Sequence, residues 1–321
     1  MAQPQFVHIH CSSRFDRSPA SLEADLDDWM GQSSLITLTE ISNDQRAGRM
    51  REKGWAYFNA KKSDGQDECG IAWRADTWTR GAAGTCKLNN AKYYRLDGRV
   101  ADPVVTAMVV LKRVQTGHRV LVTVTHMPAH VEGFGGWRTT EYKWQARKNA
   151  YLSSLQNWSV YIAAQTTKHK PDMVLTIADW NLNLKQDWVR DLLKNNFPQF
   201  KQAWKRFPTT GGSLSGGPVA PLGAPGVDYA DRIIDGTLRR GAKIWIEPNL
   251  MAAVRSSDHR PYKEGFEFTT VAGKPITEVE EEEPAQGNTY HGEAWWGFGD
   301  YRTDEIYAVN AVTGTAGGEV L

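Results

Sequence analysis

Short β-rich runs interleaved with two longer amphipathic segments predict an α/β or α+β fold for this 321-residue chain. Three observations carry the prediction: the strand-like runs are short and rich in Val, Ile and Thr, the helix-like segments lie between them, and no repeat of solenoid or propeller period is visible. The first strand is expected at 6–11 (FVHIHC), where His8 and His10 alternate with Val7 and Ile9 and so share one face. A helix is expected over 21–30, with Leu22, Leu26 and Trp29 on one side. Strands follow at 35–39 (LITLT), 70–73 (GIAW), 104–112 and 118–125. Trp144, Ala150, Leu152, Leu155, Trp158 and Ile162 recur at helical spacing over 140–166, and 173–177 (MVLTI) reads as the next strand. Residues 208–226 are rich in Gly, Pro and Ser and read as a long irregular loop. Two further strands are expected at 233–238 and 266–271.

The composition is that of a globular protein, with 40% hydrophobic and 23% charged residues, which excludes disorder as the default. No window holds 18 uninterrupted apolar residues, and the start of the chain lacks a charged segment followed by an apolar run. Neither a membrane span nor a secretory signal is read. Cys11, Cys69 and Cys86 are odd in number and lack metal-ligand spacing, so a reducing, cytoplasmic location is expected. The net charge of +1 hides an asymmetry: residues 278–321 carry −9 and residues 1–277 carry +10. A basic body favours a polyanionic partner, with nucleic acid first. The run EVEEEEP reads as an acidic linker within 275–288. The aromatic tail 289–321 (Trp295, Trp296, Phe298, Tyr301, Tyr307) is too short for its own core, and it docks on the body, binds a protein partner or stays loose.

Polar residues stand at the ends of five apolar runs: Glu40 after LITLT, His126 after VLVTVT, Asp179 and Asn181 after MVLTIA, Asp231 before RII, and Asp258–His259 in RSSDHRP. Strand ends are where a rigid scaffold presents chemistry. Hydrolysis of a phosphoester with a divalent metal needs this set. A hard cation takes carboxylate oxygens. An imidazole beside a carboxylate accepts a proton from water, and an amide or second imidazole donates to charge developing on phosphorus.

The order and wording of these motifs resemble the endonuclease/exonuclease/phosphatase superfamily, the DNase I-like proteins. Thr39–Glu40 is similar to the family's Gln-Glu strand end, Thr125–His126 to its Thr-His, and Ala178–Asp179–Trp180–Asn181 to its Gly-Asp-x-Asn. Ala230–Asp231–Arg232–Ile233 resembles its Tyr-Asp-Arg-Ile, and Ser257–Asp258–His259–Arg260–Pro261 matches its closing Ser-Asp-His-x-Pro in full. The resemblance implies an α+β, DNase I-like four-layer sandwich over 1–274: two mainly antiparallel sheets flanked by helices, with the site at one edge. It implies a metal-dependent phosphodiesterase, a nuclease acting on DNA or RNA with Mg²⁺ or Mn²⁺. Glu40 then ligates the metal, and Asp179 and Asn181 position water, metal and phosphate. Asp231 orients His259 as a base, His126 contacts phosphate or acts as acid, and Asp258 is a metal or outer ligand. GIAWR resembles the strand before a phosphate-contacting arginine, which makes Arg74 a substrate-binding candidate.

The chain departs from the family where the first strand should end in a metal-holding asparagine. His10 stands at roughly that place, and its softer imidazole favours Mn²⁺ or Zn²⁺ over Mg²⁺. Asp228 and Asp304 rival Asp231, and Asp231 is preferred to Asp228 because β-branched residues follow it. Plainer readings stand beside these: a buried His8–His10 pair, an Asx turn at Asp179–Asn181, and a surface ion pair for Asp231. FVHIHCSS alone resembles the His-x-His opening of polymerase-and-histidinol-phosphatase domains. The functional alternatives are a phosphomonoesterase or lipid phosphodiesterase on the same scaffold, and a non-catalytic binding or structural module.

Overall fold

The computed structural model describes residues 5–273 apart from 13–18, 42–44, 62–66, 90–92, 95–98, 132–140, 204–232, 252–258, 260 and 270–271. In chain order the elements are β1 (Gln5–Ser12), α1 (Pro19–Gln32), β2 (Leu35–Thr39), α2 (Gln45–Glu52), β3 (Trp55–Lys61), β4 (Asp67–Arg74), β5 (Trp78–Lys87), β6 (Val105–Arg113) and β7 (Arg119–His126). They continue as α3 (Glu141–His169), β8 (Met173–Asp179), α4 (Asp187–Asn196), β9 (Lys201–Gln202), β10 (Asp235–Arg240), β11 (Ala242–Leu250) and β12 (Tyr262–Phe268). The loop expected at 208–226, the acidic linker and the aromatic tail fall outside the described residues, as do Asp228, Asp231, Asp258 and Asp304.

Two six-stranded sheets form, in the orders β11-β12-β1-β2-β4-β3 and β5-β6-β7-β8-β10-β9. Within each, one central pair is parallel, β1 with β2 and β7 with β8. A parallel pair needs a long crossover, and α1 and α3 supply it, because only an element of that length returns the chain to the starting end of the sheet. The other pairings are antiparallel.

Strand periodicity sorts the side chains into layers. On β6, Val105, Ala107, Val109 and Leu111 enter the core between the sheets, while Met108 and Val110 face the helix side, with Trp158 of α3 and Val189 of α4. On β2, Leu35 points into the inter-sheet core, whereas Ile36 and Leu38 pack with Leu26 and Trp29 of α1. The result is helix, sheet, sheet, helix, the four-layer sandwich expected. Each fully buried aliphatic side chain contributes about 1.5–3 kcal/mol. Register irregularities occur at Ile244/Ile246 and Ile246/Asn249, at Ala60/Lys61 and at Arg80/Ala82. All involve the edge strands β11, β3 and β5. The ladders joining β1 to β2, β6 to β7, β7 to β8 and β8 to β10 run without a shift.

Candidate active site

Register assembles the site. In the second sheet, His126 on β7 pairs with Asp179 on β8, and Asp179 pairs with Asp235 on β10. Three polar side chains therefore stand in one row across three adjacent strands. In the first sheet, Ser12 ends β1 opposite Thr39, which ends β2. Phe6 on β1 lies in the inter-sheet core, so the two-residue period turns His8, His10 and Ser12 inward as well. Ser12 Oγ joins the two sheets, lying 3.1 Å from Asp235 Oδ1, 3.3 Å from Asp179 Oδ2 and 2.5 Å from Thr39 Oγ1. The site thus sits where the carboxyl ends of both parallel strand pairs meet, the usual location for chemistry in open sheets.

Two histidines face each other across Asp179, each held by a carboxylate. His259 precedes β12 and pairs through Nδ1 with Asp235 Oδ2 at 2.8 Å. His126 pairs through Nδ1 with Glu68 Oε1 at 2.6 Å, and its Nε2 lies 3.6 Å from Glu40 Oε1 and 3.8 Å from Asp179 Oδ2. A carboxylate on Nδ1 keeps a proton there and leaves Nε2 as the nitrogen that exchanges. Burial alone would favour the neutral rings. The hydrogen bond and charge of Glu68, with Glu40 and Asp179, outweigh it and hold His126 up at about 9. Asp235, with Asp179 and Glu40, does the same for His259, at about 10. Asp179 is pushed the other way for an acid: burial, then the charge of Asp235, raise it to about 7 against the pull of the two histidines. Asp235 resists its own burial because His259 and His10 keep it well below the ordinary carboxylate range.

Local backbone supports this placement. Glu40 and Asn181 both adopt left-handed backbone, φ +55° and +52°. This conformation costs a non-glycine residue energy and persists where surroundings enforce it. At Asn181 the enforcing bonds are its backbone N–H to Asp179 Oδ1 (3.0 Å) and its side-chain amide to the Met127 carbonyl (2.8 Å). The Asx turn and the functional placement thus coexist. Tyr151 of α3 donates to the Trp180 carbonyl at 2.8 Å, and Trp180 Nε1 to the Gly236 carbonyl at 3.0 Å, locking this loop to α3 and β10.

Glu40, His126, Asp179, Asn181, His259 and His10 are brought to one end of the sandwich. Among the described residues the carboxylate on His259 is Asp235, which opens β10 in register with Asp179, whereas Asp231, the residue expected in that role, lies outside the described residues. One expectation requires correction. Arg74 does not reach the site. β4 runs antiparallel to β2, so its start at Glu68 lies beside Glu40 while Arg74 ends it, six residues or about 20 Å away. There Arg74 is paired with Asp76. Sequence reasoning missed Glu68, Ser12 and Asp235. The signal for Glu68 was its place just before Cys69, the partner of Thr39, which sets it opposite Glu40.

The donor set fits a divalent cation. Ligand atoms of the buried Asp179, Asp235 and His259 all lie within 4.8 Å of one another, Glu40 adds a half-exposed carboxylate, and the buried His10 Nε2 has no hydrogen-bond partner.

No protein-family model matches the chain, and no curated protein sequence matches it. Solved structures do. The endonuclease/exonuclease/phosphatase protein of Bacteroides vulgatus aligns with a TM-score of 0.60 at 14% identity, covering 83% of this chain and 100% of that one. The human nocturnin catalytic domain with bound sulfate gives 0.59 at 12% identity over 83% and 96%. D. rerio TDP2 in complex with a single-strand DNA product gives 0.52 at 12% over 82% and 98%. At such identities the likeness is one of fold.

Proposed function

Taking as premise that the chain has the endonuclease/exonuclease/phosphatase, DNase I-like fold, we propose that it is a divalent-metal-dependent phosphodiesterase, a nuclease that hydrolyses DNA or RNA by attack of activated water on phosphate. The observation that carries this reading is the pair of histidine–carboxylate couples, His259–Asp235 and His126–Glu68, set on either side of a buried aspartate. Phosphoester chemistry on this scaffold is represented among the similar structures by a mannosyl-6-phosphatase and a 2′,3′-cyclic phosphatase. The +10 charge of residues 1–277 and the DNA product held by TDP2 favour a nucleic acid over a small phosphate ester.

His259, oriented by Asp235, takes the proton of the attacking water through Nε2 in its neutral form, which a cation held by Asp179 and Asp235 would favour by cancelling the charge that otherwise keeps the ring protonated. His126, oriented by Glu68, donates from Nε2 to a phosphoryl oxygen or to the leaving oxygen. Asp179 accepts a hydrogen bond from the other hydrogen of the water, which stays on the attacking oxygen, and with Asn181 fixes its position. Glu40, Asp179 and Asp235 would hold Mg²⁺ or Mn²⁺, which when bound neutralises charge on the phosphoryl oxygens. No helix among the described residues is long and apolar enough to cross a membrane.

The test is to incubate the full chain with plasmid DNA, single-stranded oligonucleotides and p-nitrophenyl phosphate, with Mg²⁺ or Mn²⁺ and with EDTA. Metal-dependent cleavage of the polymers is expected, with His259→Ala slower by at least ~100-fold, the size of an acid–base contribution. Turnover of p-nitrophenyl phosphate alone would replace the nuclease reading with a phosphomonoesterase. Full activity in His259→Ala would remove the role given to it.

A further inference from the structure

An aromatic and basic ledge stands at the same end of the second sheet as the catalytic row. β5 ends and β6 begins opposite the last residues of β7, so the connection between them, which carries Tyr93 and Tyr94, leaves the sheet on the His126 side. α3 follows β7 and returns the chain to the start of β8, so its first turns stand at that end too. Tyr151 of α3 is level with the site, since its hydroxyl reaches the carbonyl of Trp180, next to Asp179. Tyr142 comes nine residues earlier, about 13 Å further out along the helix axis.

On this overhang rings and cations meet. Tyr142 is 71% exposed, the most exposed large apolar or aromatic side chain among the described residues, and its ring stands 6.2 Å from that of Tyr94. Lys143 Nζ lies 5.4 Å from the centre of the Tyr94 ring, and one turn on Lys148 Nζ lies 5.2 Å from that of Trp144. Beneath them is an unbalanced charge. Arg147, only 2% exposed, donates from Nε and Nη2 to the Tyr94 carbonyl at 3.0 and 2.5 Å, which fixes the backbone under that ring. Its Nη1 is buried without a hydrogen-bond partner. A buried cation is ordinarily paired with an acid, yet among the described residues the electrostatic neighbour of Arg147 is the Tyr93 phenol. The counter-charge it lacks is one that an anionic ligand over the ledge supplies.

This surface matches a polymer that repeats a flat base and a negative charge. About 13 Å is the run of roughly four nucleotides at 3.4 Å each. In a duplex the base faces are stacked on one another, so a protein ring receives a base only from a single strand. We propose that Tyr142, Tyr94 and Lys143 form a subsite for single-stranded nucleic acid, with an unpaired base on the Tyr142 ring and the adjoining phosphates drawn by Lys143 and by the charge of Arg147. The inference rests on the nuclease reading above and deepens it: the ledge favours single strands and leads them toward the row of His126, Asp179 and Asp235. DNA and RNA offer the same base faces and phosphates to it.

The test measures, by fluorescence anisotropy, binding of the full chain to short labelled single strands of DNA and RNA and to a DNA duplex, in EDTA to prevent cleavage. Single strands are expected to bind at least ~10-fold more tightly than the duplex. Tyr142→Ala should weaken single-strand binding by about 10-fold, and Tyr142→Phe, which keeps the ring, should bind as the wild type does. Lys143→Ala should reduce the slope of log affinity against log salt by about 0.7, the share of one phosphate contact on a single strand. Val160→Ala, at an exposed position in the second half of α3, should leave binding unchanged. A preference for one of the two single strands supports the proposal and identifies the sugar. Equal affinity for strand and duplex, single-strand binding unaltered in Tyr142→Ala, or an equal loss in Val160→Ala overturns it, as does absence of single-strand binding by the wild type. Metal-dependent cleavage is scored separately. Cleavage of DNA with binding unaltered in Tyr142→Ala removes the ledge and leaves the nuclease, whereas strand binding lost in that variant without cleavage under Mg²⁺ or Mn²⁺ removes the nuclease and leaves the ledge.

Discussion

Replacing Asp179 by asparagine should make the metal-free protein more stable while removing its activity. The carboxyl is buried, shares a row with Asp235, and has its pKa moved from 3.8 to about 7 by burial and by that neighbour's charge. For an acid raised in the fold, the native state keeps its proton to higher pH than the unfolded chain does. Stability is therefore lost as pH rises from 3.8 through 7 and is lowest above that window. Holding Asp179 ionised at pH 8 costs about 4 kcal/mol by this reckoning, and the destabilisation falls to less than half of that at pH 5, where the buried carboxyl keeps its proton. Asparagine keeps the oxygen that accepts the Asn181 N–H and puts a neutral amide where the second oxygen meets Ser12. Urea denaturation followed by tryptophan fluorescence in EDTA should show Asp179→Asn more stable than wild type by about 2 kcal/mol or more at pH 8, with the gap narrowing by about half or more at pH 5. Added Mn²⁺ should reverse the order, because only the wild type gains the binding energy of the ion. A variant less stable than wild type at pH 8 in EDTA, or a gap that does not change with pH, would refute the electrostatic argument.

Glu68→Gln removes the leading partner that holds His126 up at about 9, so its titration, followed by NMR of the imidazole protons in EDTA, should move to lower pH, and hydrolysis should fall by about 10–100-fold. Trp158→Ala empties a fully buried site where the indole packs 5.4 Å from Trp180 and 5.9 Å from Phe197. It should cost about 3–5 kcal/mol in denaturant unfolding. Arg74→Ala should leave kcat/KM within about twofold, since the guanidinium is 45% exposed and about 20 Å along β4 from Glu68. A tenfold loss in that variant would contradict its placement.

How much of this was legible in the sequence follows from burial. β2, β6, β7 and β8 are buried on both faces, so each reads as an unbroken apolar run, and their expected bounds lie within two residues of those observed. The strands not anticipated are β3, β5, β9 and β11. They lie at sheet edges, where WTRGAAGTCK and AKIWIEPNL alternate with solvent and carry Gly or Pro. α2 is short and mostly polar, with little apolar stripe to detect, and α4 is short, although Trp188, Val189, Leu192 and Leu193 give it an apolar face at helical spacing. At the site, the strand-end acids and histidines were visible because each closes an apolar run. Glu68 was hidden because DECG reads as a polar turn, and Asp235 because it sits inside the run IIDGTL rather than before it. Which carboxylate meets which imidazole depends on register between distant strands, which a single chain's local pattern does not encode.

The confinement of ladder irregularities to β3, β5 and β11 bears on which changes of length the protein can absorb. An added residue in one of those border strands is taken up by a bulge already in place. The same addition in β7, β8 or β10 would shift the phase by one, turning His126, Asp179 or Asp235 toward the helix layers and core aliphatics toward the reacting centre. Descendants of this chain can therefore lengthen freely at the margins of the sandwich, while its middle strands can diverge only letter for letter.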